Sequence, residues 1–335
     1  MRKIVLGLFI LAGLAGTAAA DTLGDVKARG HVRCGVSQGQ PGFSNPDDKG
    51  NWSGIDVEVC RAIAAAIFND PGAVRYTALS AKERFTALQS GEIDLLSRNT
   101  TWTIQRDTAL GLDFAGITFY DGQSFMVRKD SGVKSATELD GASICTQTGT
   151  TNELNAADFF RSRGLQYNMV VYEKEDEYIA AYDAGRCDAE TADRSGLYGD
   201  RLKLKDPSAH IILPEIISKE PLGPVVRQGD SKWADLVRWT LFALLNAEEM
   251  GVTSKNVDAK MVDKAPDMRR LLGQEGAFGQ TLGLTNDWVV RIVRHVGNYA
   301  EIYDRTVGKD SPLKIERGKN ALWKDGGLQY APPIR

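Results

Sequence analysis

Histidine is scarce in this chain: His31, His210 and His295 are the only three among 335 residues, and no ligand spacing relates them. A metal centre built on imidazole therefore has no basis, and no metal or other cofactor is expected. The motifs H-E-x-x-H, Cys-x-x-Cys, a strand-linked G-x-G-x-x-G and a Walker loop are all missing. A metallohydrolase, kinase or dehydrogenase reading is left without a signature, and no catalytic residue is assigned. An excess of one charge is missing too. With 41 Lys+Arg against 44 Asp+Glu the formal charge is -3, so nothing favours a nucleic-acid partner.

Long apolar runs are confined to the N-terminus. Arg2 and Lys3 precede an apolar stretch from Ile4 to Leu14, and small residues follow to Ala18, Ala19 and Ala20 before Asp21. This order matches a secretory signal peptide with an A-x-A cleavage site at residues 1–20. The run is shorter than the roughly 20 residues a membrane helix needs. Export to the periplasm is the expectation, and cleavage would take the formal charge from -3 to -5.

Four cysteines in an exported chain can pair, and three pairings are possible. Cys34 lies in an alternating, strand-like stretch and Cys60 on the helix that follows; Cys145 and Cys187 share a later βαβ-like stretch. This arrangement favours Cys34 with Cys60 and Cys145 with Cys187.

The rest alternates short β-rich runs with amphipathic windows, which predicts α/β layers with largely parallel sheets. From Ile55 to Phe68, Ile55, Val59, Ile63 and Ile67 recur every four residues, and Asn69, Asp70, Pro71 and Gly72 end the helix. Asp56 and Glu58 in its first turn read as complements to the helix dipole. An internal echo points to two similar lobes. Ala87, Gly91 and Asp94 recur as Ala181, Gly185 and Asp188, each set closing a helix and entering a short apolar strand. Polar segments follow both strands, Asn99–Thr100–Thr101 and then Asp193, where open α/β sheets bind ligands.

The chain leaves the first lobe near Tyr120 and returns near Gly223, so two crossing strands should form a hinge. The expected division is a first part of lobe 1 at 21–121, lobe 2 at 122–223, and a return to lobe 1 with a C-terminal helical extension at 224–335. Helices are expected over Lys232–Met250 and Asp287–Tyr303, and Trp233, Trp239, Trp288 and Trp323 read as packing residues.

The cleft residues suit a small zwitterion. A carboxylate needs a forked cation and neutral donors, and an ammonium needs a carboxylate. Arg106 can supply the fork, Asn99 and Thr101 donors, and Asp193 the carboxylate. Thr150 and Thr151 open a helix whose N-terminus offers more donors. Taken singly, each also reads as a cap or a surface ion pair.

The segment GIDVEVCRAIA, Gly54 to Ala64, resembles the signature of bacterial extracellular solute-binding proteins for polar amino acids, family 3. TWTIQR ending in Arg106, TGTT from Thr148 to Thr151, and the Asp188-to-Asp193 spacing look like that family's binding motifs. LSRNTTWT, KEPLGPVVRQGD and the C-terminal extension look like its general L-amino-acid branch, which serves ABC transporters. The likeness implies a type II periplasmic-binding-protein fold, two α/β lobes on a two-strand hinge. It implies a monomer that takes a free L-amino acid to a membrane permease. By position, Arg106 and Thr101 would hold the α-carboxylate with help from Thr151, Asp193 the α-ammonium, and Arg84 the side-chain carboxylate of glutamate or aspartate. One departure stands out: Gln38, Gly39, Gln40, Pro41 and Gly42 replace the segment where many relatives stack an aromatic ring, which suits broad specificity. Trp102 is the candidate substitute.

Two other classes share the scaffold. An enzyme of dehydratase or lytic transglycosylase type would use Glu190 as its acid, and a sensor module would look the same in sequence.

Overall fold

The structure is a computed structural model and describes residues 21–335. The signal-peptide reading of residues 1–20 lies outside the described residues.

The helix Ile55–Phe68 buries Ile55, Val59, Ile63, Ala62 and Ala66 as its spacing predicts. It starts at Gly54, whose φ of 124° no side chain adopts comfortably. A Cβ there would lie 2.1 Å from the Phe43 carbonyl oxygen, so only glycine lets the two segments approach. Asn69 ends the helix in a left-handed conformation, its N–H donating to the Ala65 carbonyl.

Two five-stranded sheets share one plan. The first runs Val74–Ala78, Val32–Val36, Leu95–Leu96, Val225–Arg227, Leu112–Phe114; the second runs Tyr167–Tyr172, Ala142–Gln147, Ala189–Asp193, Gln123–Arg128, His210–Ile212. In each, the first three strands are parallel and the last two pairings antiparallel. The sheets are therefore mixed rather than largely parallel. The fourth strand of each enters from the hinge and runs against its neighbours, a direction that side-chain periodicity does not encode.

The echo is a structural repeat. Gly91 and Gly185 turn through φ of 80° and 77°, and the next backbone N–H reaches back to Ala87 and Ala181 respectively. Asp94 then accepts from the backbone N–H of Arg33 at 2.8 Å, and Asp188 from that of Ser143 at 2.8 Å. In each lobe this carboxylate fixes the start of the neighbouring strand, at the end of the sheet away from the ligand-facing loops.

Two crossings join the lobes. Phe119–Asp121 and Glu220–Leu222 pair antiparallel, with Asp121 opposite Glu220. Cys34 and Cys60 form one disulfide and Cys145 and Cys187 the other, with Cα separations of 6.4 and 5.7 Å. Each bridge stays within one sheet-and-helix unit.

The helix Ser231–Glu249 packs Trp233, Leu236, Val237, Leu241 and Leu244 into the core shared with the Ile55–Phe68 helix. The helix expected over Asp287–Tyr303 is two, Trp288–Val296 and Tyr299–Thr306. Gly297 at φ 77° breaks it, and Asn298 with Glu301 caps the second piece reciprocally. Trp233 and Trp288 are buried, whereas Trp323 is 51% exposed, contrary to its reading as a packing residue.

Candidate functional site

A small cavity of about 30 Å³ lies between the two sheets, lined by residues from both. Gln40, Arg84, Arg98, Asn99 and Thr101 come from the first unit, and Thr146, Gln147, Thr150, Thr151, Asn152, Tyr178, Thr191, Ala192, Asp193 and Gly196 from the second. A roomier groove of about 630 Å³ runs along the C-terminal tail near Met268 and Trp323. The smaller cavity is the better site candidate, because buried polar groups converge on it from loops at the ends of both sheets.

The first unit delivers its groups through one loop. Ser97 to Thr101 follow the strand Leu95–Leu96, and Asn99 takes a φ of 32°. Asp56 holds that turn: its carboxylate accepts from the Asn99 N–H at 2.7 Å and from the Ser97 hydroxyl at 3.3 Å. Asp56 thus does more than complement the helix dipole. Asn99 Oδ1 is buried without a partner. Arg98 donates Nε to the Leu79 carbonyl at 2.9 Å and reaches Gln147 of the other unit at 3.5 Å. Arg106 sits in the turn after this loop, its Nη1 donating to the Thr101 carbonyl at 2.9 Å. It is buried but does not line the cavity.

The second unit opens its helix Thr151–Ser162 at the cavity. Thr150 precedes that helix without capping it, since its hydroxyl donates to the Gln147 carbonyl at 2.6 Å. Asp193, before the helix Arg194–Lys203, makes no side-chain cap either. It accepts instead from Asn152 Nδ2 at 2.8 Å. The capping readings of both residues therefore fail. The units meet where Thr101 Oγ1 and Thr151 Oγ1 stand 3.4 Å apart. They meet again where Gln40 and Pro41 press on Gly196 and Gly199: a Cβ added at Gly199 would be 3.3 Å from Pro41.

Glu220, in the returning crossing strand, was not singled out from sequence. It is buried and accepts from Thr101 Oγ1 at 2.6 Å, Thr151 Oγ1 at 2.9 Å, Asn155 Nδ2 at 2.6 Å and Ser218 Oγ at 2.7 Å. With their protons committed there, the hydroxyls of Thr101 and Thr151 have none to give a carboxylate. A role as carboxylate donors, expected for those side chains, would need protons that this arrangement directs to Glu220.

The electrostatics are lopsided. Arg84, Arg98 and Arg106 are all buried, and none of the ion pairs among the described residues includes them. Arg84 is 2% exposed and its Nε has no partner at all. Burial, then the charges of Arg106 and Arg98, press its guanidinium well below the usual arginine range. Burial likewise lowers Arg98, and lowers Arg106 to about 10. Asp193 is pushed the other way: burial, then the charges of Glu220 and Asp121, raise its carboxyl well above the usual range. Such groups lack counter-ions, and a ligand carrying both an ammonium and carboxylates would supply them.

Two expectations fail on geometry. Trp102 is 38% exposed, stacks on Phe114 and lies outside the cavity lining, so it does not replace the stacking aromatic. Glu190 is fully buried in the strand Ala189–Asp193 and does not line the cavity. Burial and neighbouring Asp200 raise its carboxyl well above the usual range. Gln40, from the segment that replaces the stacking aromatic, does line the cavity, whereas Arg98, Gln147 and Tyr178 line it without having been singled out. Arg98 alone had a sequence signal, standing among the polar residues directly after a strand.

The model of the bacterial extracellular solute-binding proteins, family 3, matches residues 32–256. The chain is 61% identical to the general L-amino acid-binding periplasmic protein AapJ of Rhizobium johnstonii, covering 100% of this chain and 99% of that one. It is 50% identical to the glutamate/glutamine/aspartate/asparagine-binding protein BztA of Rhodobacter capsulatus, covering 100% and 99%. A solved ABC transporter periplasmic binding protein from Brucella ovis, with glutathione bound, superposes with a TM-score of 0.93 at 61% identity, covering 94% of this chain and 100% of that one.

Proposed function

Since the chain belongs to the bacterial extracellular solute-binding proteins of family 3, we propose that it is the periplasmic receptor of an amino-acid ABC transporter. It closes two lobes on a free L-amino acid and presents the loaded form to the membrane permease. Its range is broad and includes glutamate, glutamine and aspartate, in line with the relatives named for such ligands. No helix among the described residues is long and apolar enough to cross a membrane. That fits a receptor that moves between ligand and permease.

Arg84 carries this reading. A buried guanidinium without a counter-ion costs the folded protein free energy; a bound anion removes that cost. Arg84 and Arg98 face the cavity with Arg106 behind them, and one carboxylate, Asp193, faces them. A ligand with two carboxylates and one ammonium balances the set, which is the charge pattern of glutamate and aspartate. Arg84 with Arg98 takes the side-chain carboxylate, Arg106 adds its charge to the α-carboxylate subsite, and Asp193 takes the ammonium. Asn99 and Thr150 line the same space as polar contacts. Desolvated, charge-assisted hydrogen bonds of this kind contribute about 1.5–3 kcal/mol each. A closed cleft is what desolvates them.

The receptor leaves its ligand unchanged. Glu190, the acid an enzyme reading would need, is fully buried and outside the cavity lining. A thermal-shift screen of the twenty amino acids tests the proposal, because a ligand at 100 times its Kd stabilises by about 2.7 kcal/mol. Shifts with glutamate, glutamine and aspartate, and recovery of those ligands intact, are expected. No shift with any amino acid would overturn it.

A further inference from the structure

Thr101 and Thr151 belong to different lobes, yet their hydroxyls point their protons at one atom. Both donate to Oε2 of Glu220, at 2.6 and 2.9 Å. A hydroxyl has a single proton and an ionised carboxylate only accepts, so each threonine oxygen keeps nothing but lone pairs for any other partner. The second carboxylate oxygen is held as firmly. Asn155 Nδ2 and Ser218 Oγ donate to Oε1 at 2.6 and 2.7 Å. With four donors and 1% exposure, Glu220 has no freedom to turn away.

The two threonine oxygens, 3.4 Å apart, line the cavity together with Asp193. Three acceptors from three segments match the three protons of an ammonium group. We propose that Glu220 is a positioning residue: it fixes both hydroxyls as acceptors, so that Thr101 and Thr151 join Asp193 on the α-ammonium while the carboxylates fall to the arginines. Glu220 never touches the ligand and acts through the threonines. Because one hydroxyl comes from each lobe, the acceptor pair is complete only when the lobes are closed. The ammonium is then read by closure itself, whatever side chain the ligand carries. This gives a receptor of broad range a fixed point common to all its ligands.

The inference rests on the amino-acid reading above, and a thermodynamic cycle separates the two. Calorimetry with L-glutamate is run on the full chain, Thr101→Val, Glu220→Gln and the double variant. Glu220→Gln keeps the size of the side chain but exchanges one accepting oxygen for an NH2 donor, so it cannot accept from Thr101 and Thr151 at one end and from Asn155 and Ser218 at the other. Each single variant is expected to weaken binding at least tenfold. In the double variant the loss should be far smaller than the product of the two, because both remove one arrangement. Multiplicative losses, or an unchanged Kd in Glu220→Gln, would overturn the proposal. Should Glu220→Gln fail to fold, Thr151→Val and Thr151→Ser decide: loss in the first with recovery in the second supports it, and full affinity in Thr151→Val overturns it. Absence of L-glutamate binding in the unaltered protein would overturn the amino-acid reading instead.

Discussion

Asp56 and Asn99 are joined across 43 residues of chain, the carboxylate of the first accepting the backbone N–H of the second at 2.7 Å. That bond holds Asn99 at a φ of 32° and so sets where the next residues, Thr100 and Thr101, meet the cleft. The family signature around Gly54 contains a residue whose partner is the binding loop.

Replacing Asp56 with alanine leaves the Asn99 N–H and the Ser97 hydroxyl without their acceptor. An unsatisfied buried donor costs about 1–3 kcal/mol, and urea unfolding should register a loss of that size. Affinity for glutamate should fall with it, since Thr101 loses its register. A variant that kept full stability and affinity would remove Asp56 from the account.

Arg84→Met should separate binding from stability. The variant discards a buried, unpaired cation, so the ligand-free protein should become more stable, by about 1 kcal/mol or more on the scale found when apolar residues replace buried charges. Glutamate and aspartate should lose their thermal shift while glutamine keeps part of its own. Destabilisation of the ligand-free form would show that the guanidinium has a structural partner after all.

Lobe 2 holds a pH-dependent term. Burial, then Glu175, raises the Asp200 carboxyl to about 8, and Glu190 is raised in the same direction. A raised carboxyl favours the folded state while protonated. Its contribution is complete below the ordinary value near 4 and is lost as pH climbs through 8. Asp56 and Asp121, each raised to about 6, add a decline of the same sign at lower pH. The urea midpoint should therefore still be falling between pH 7 and 8.5, and Asp200→Asn should flatten that last segment. A wild-type curve flat over this window would refute the assignment.

Closure can be blocked at Gly199 without touching the ligand. A Cβ there stands 3.3 Å from Pro41, and a leucine side chain has nowhere to go when the lobes meet. Gly199→Leu should weaken glutamate binding more than tenfold and abolish ligand-induced compaction in small-angle scattering. The ligand-free melting temperature should hold. Normal compaction would mean that the lobes do not approach along this line.

The parts of the fold legible in sequence were local. The Ile55–Phe68 helix followed from its four-residue apolar spacing, and the Gly91 and Gly185 turns from glycine at a helix end. The polar segments after strands led to Asn99, Thr101, Thr150, Thr151 and Asp193, all of which line one cavity. What stayed hidden depends on contacts distant in sequence. Glu220 lies in a three-residue strand with no periodicity to read, and its partner Thr101 is 119 residues away. The antiparallel direction of the fourth strands is fixed by where the crossings enter, and the break at Gly297 by a cap formed with Asn298 and Glu301. Trp102 and Trp323 look like core residues by type, but surface position depends on surroundings that composition does not describe.

The first sheet takes its fourth strand, Val225–Arg227, from far downstream, and the strand Leu112–Phe114 has no neighbour in that sheet except this one. Order of synthesis therefore runs against order of completion. The second sheet is built from the contiguous stretch 123–212 and can assemble as soon as that stretch is available. The first, begun earliest, must wait with Leu112–Phe114 unpaired until two-thirds of the polypeptide has arrived. A chain cut short before Val225 would hold one finished sheet and one exposed edge, a substrate for proteases or aggregation.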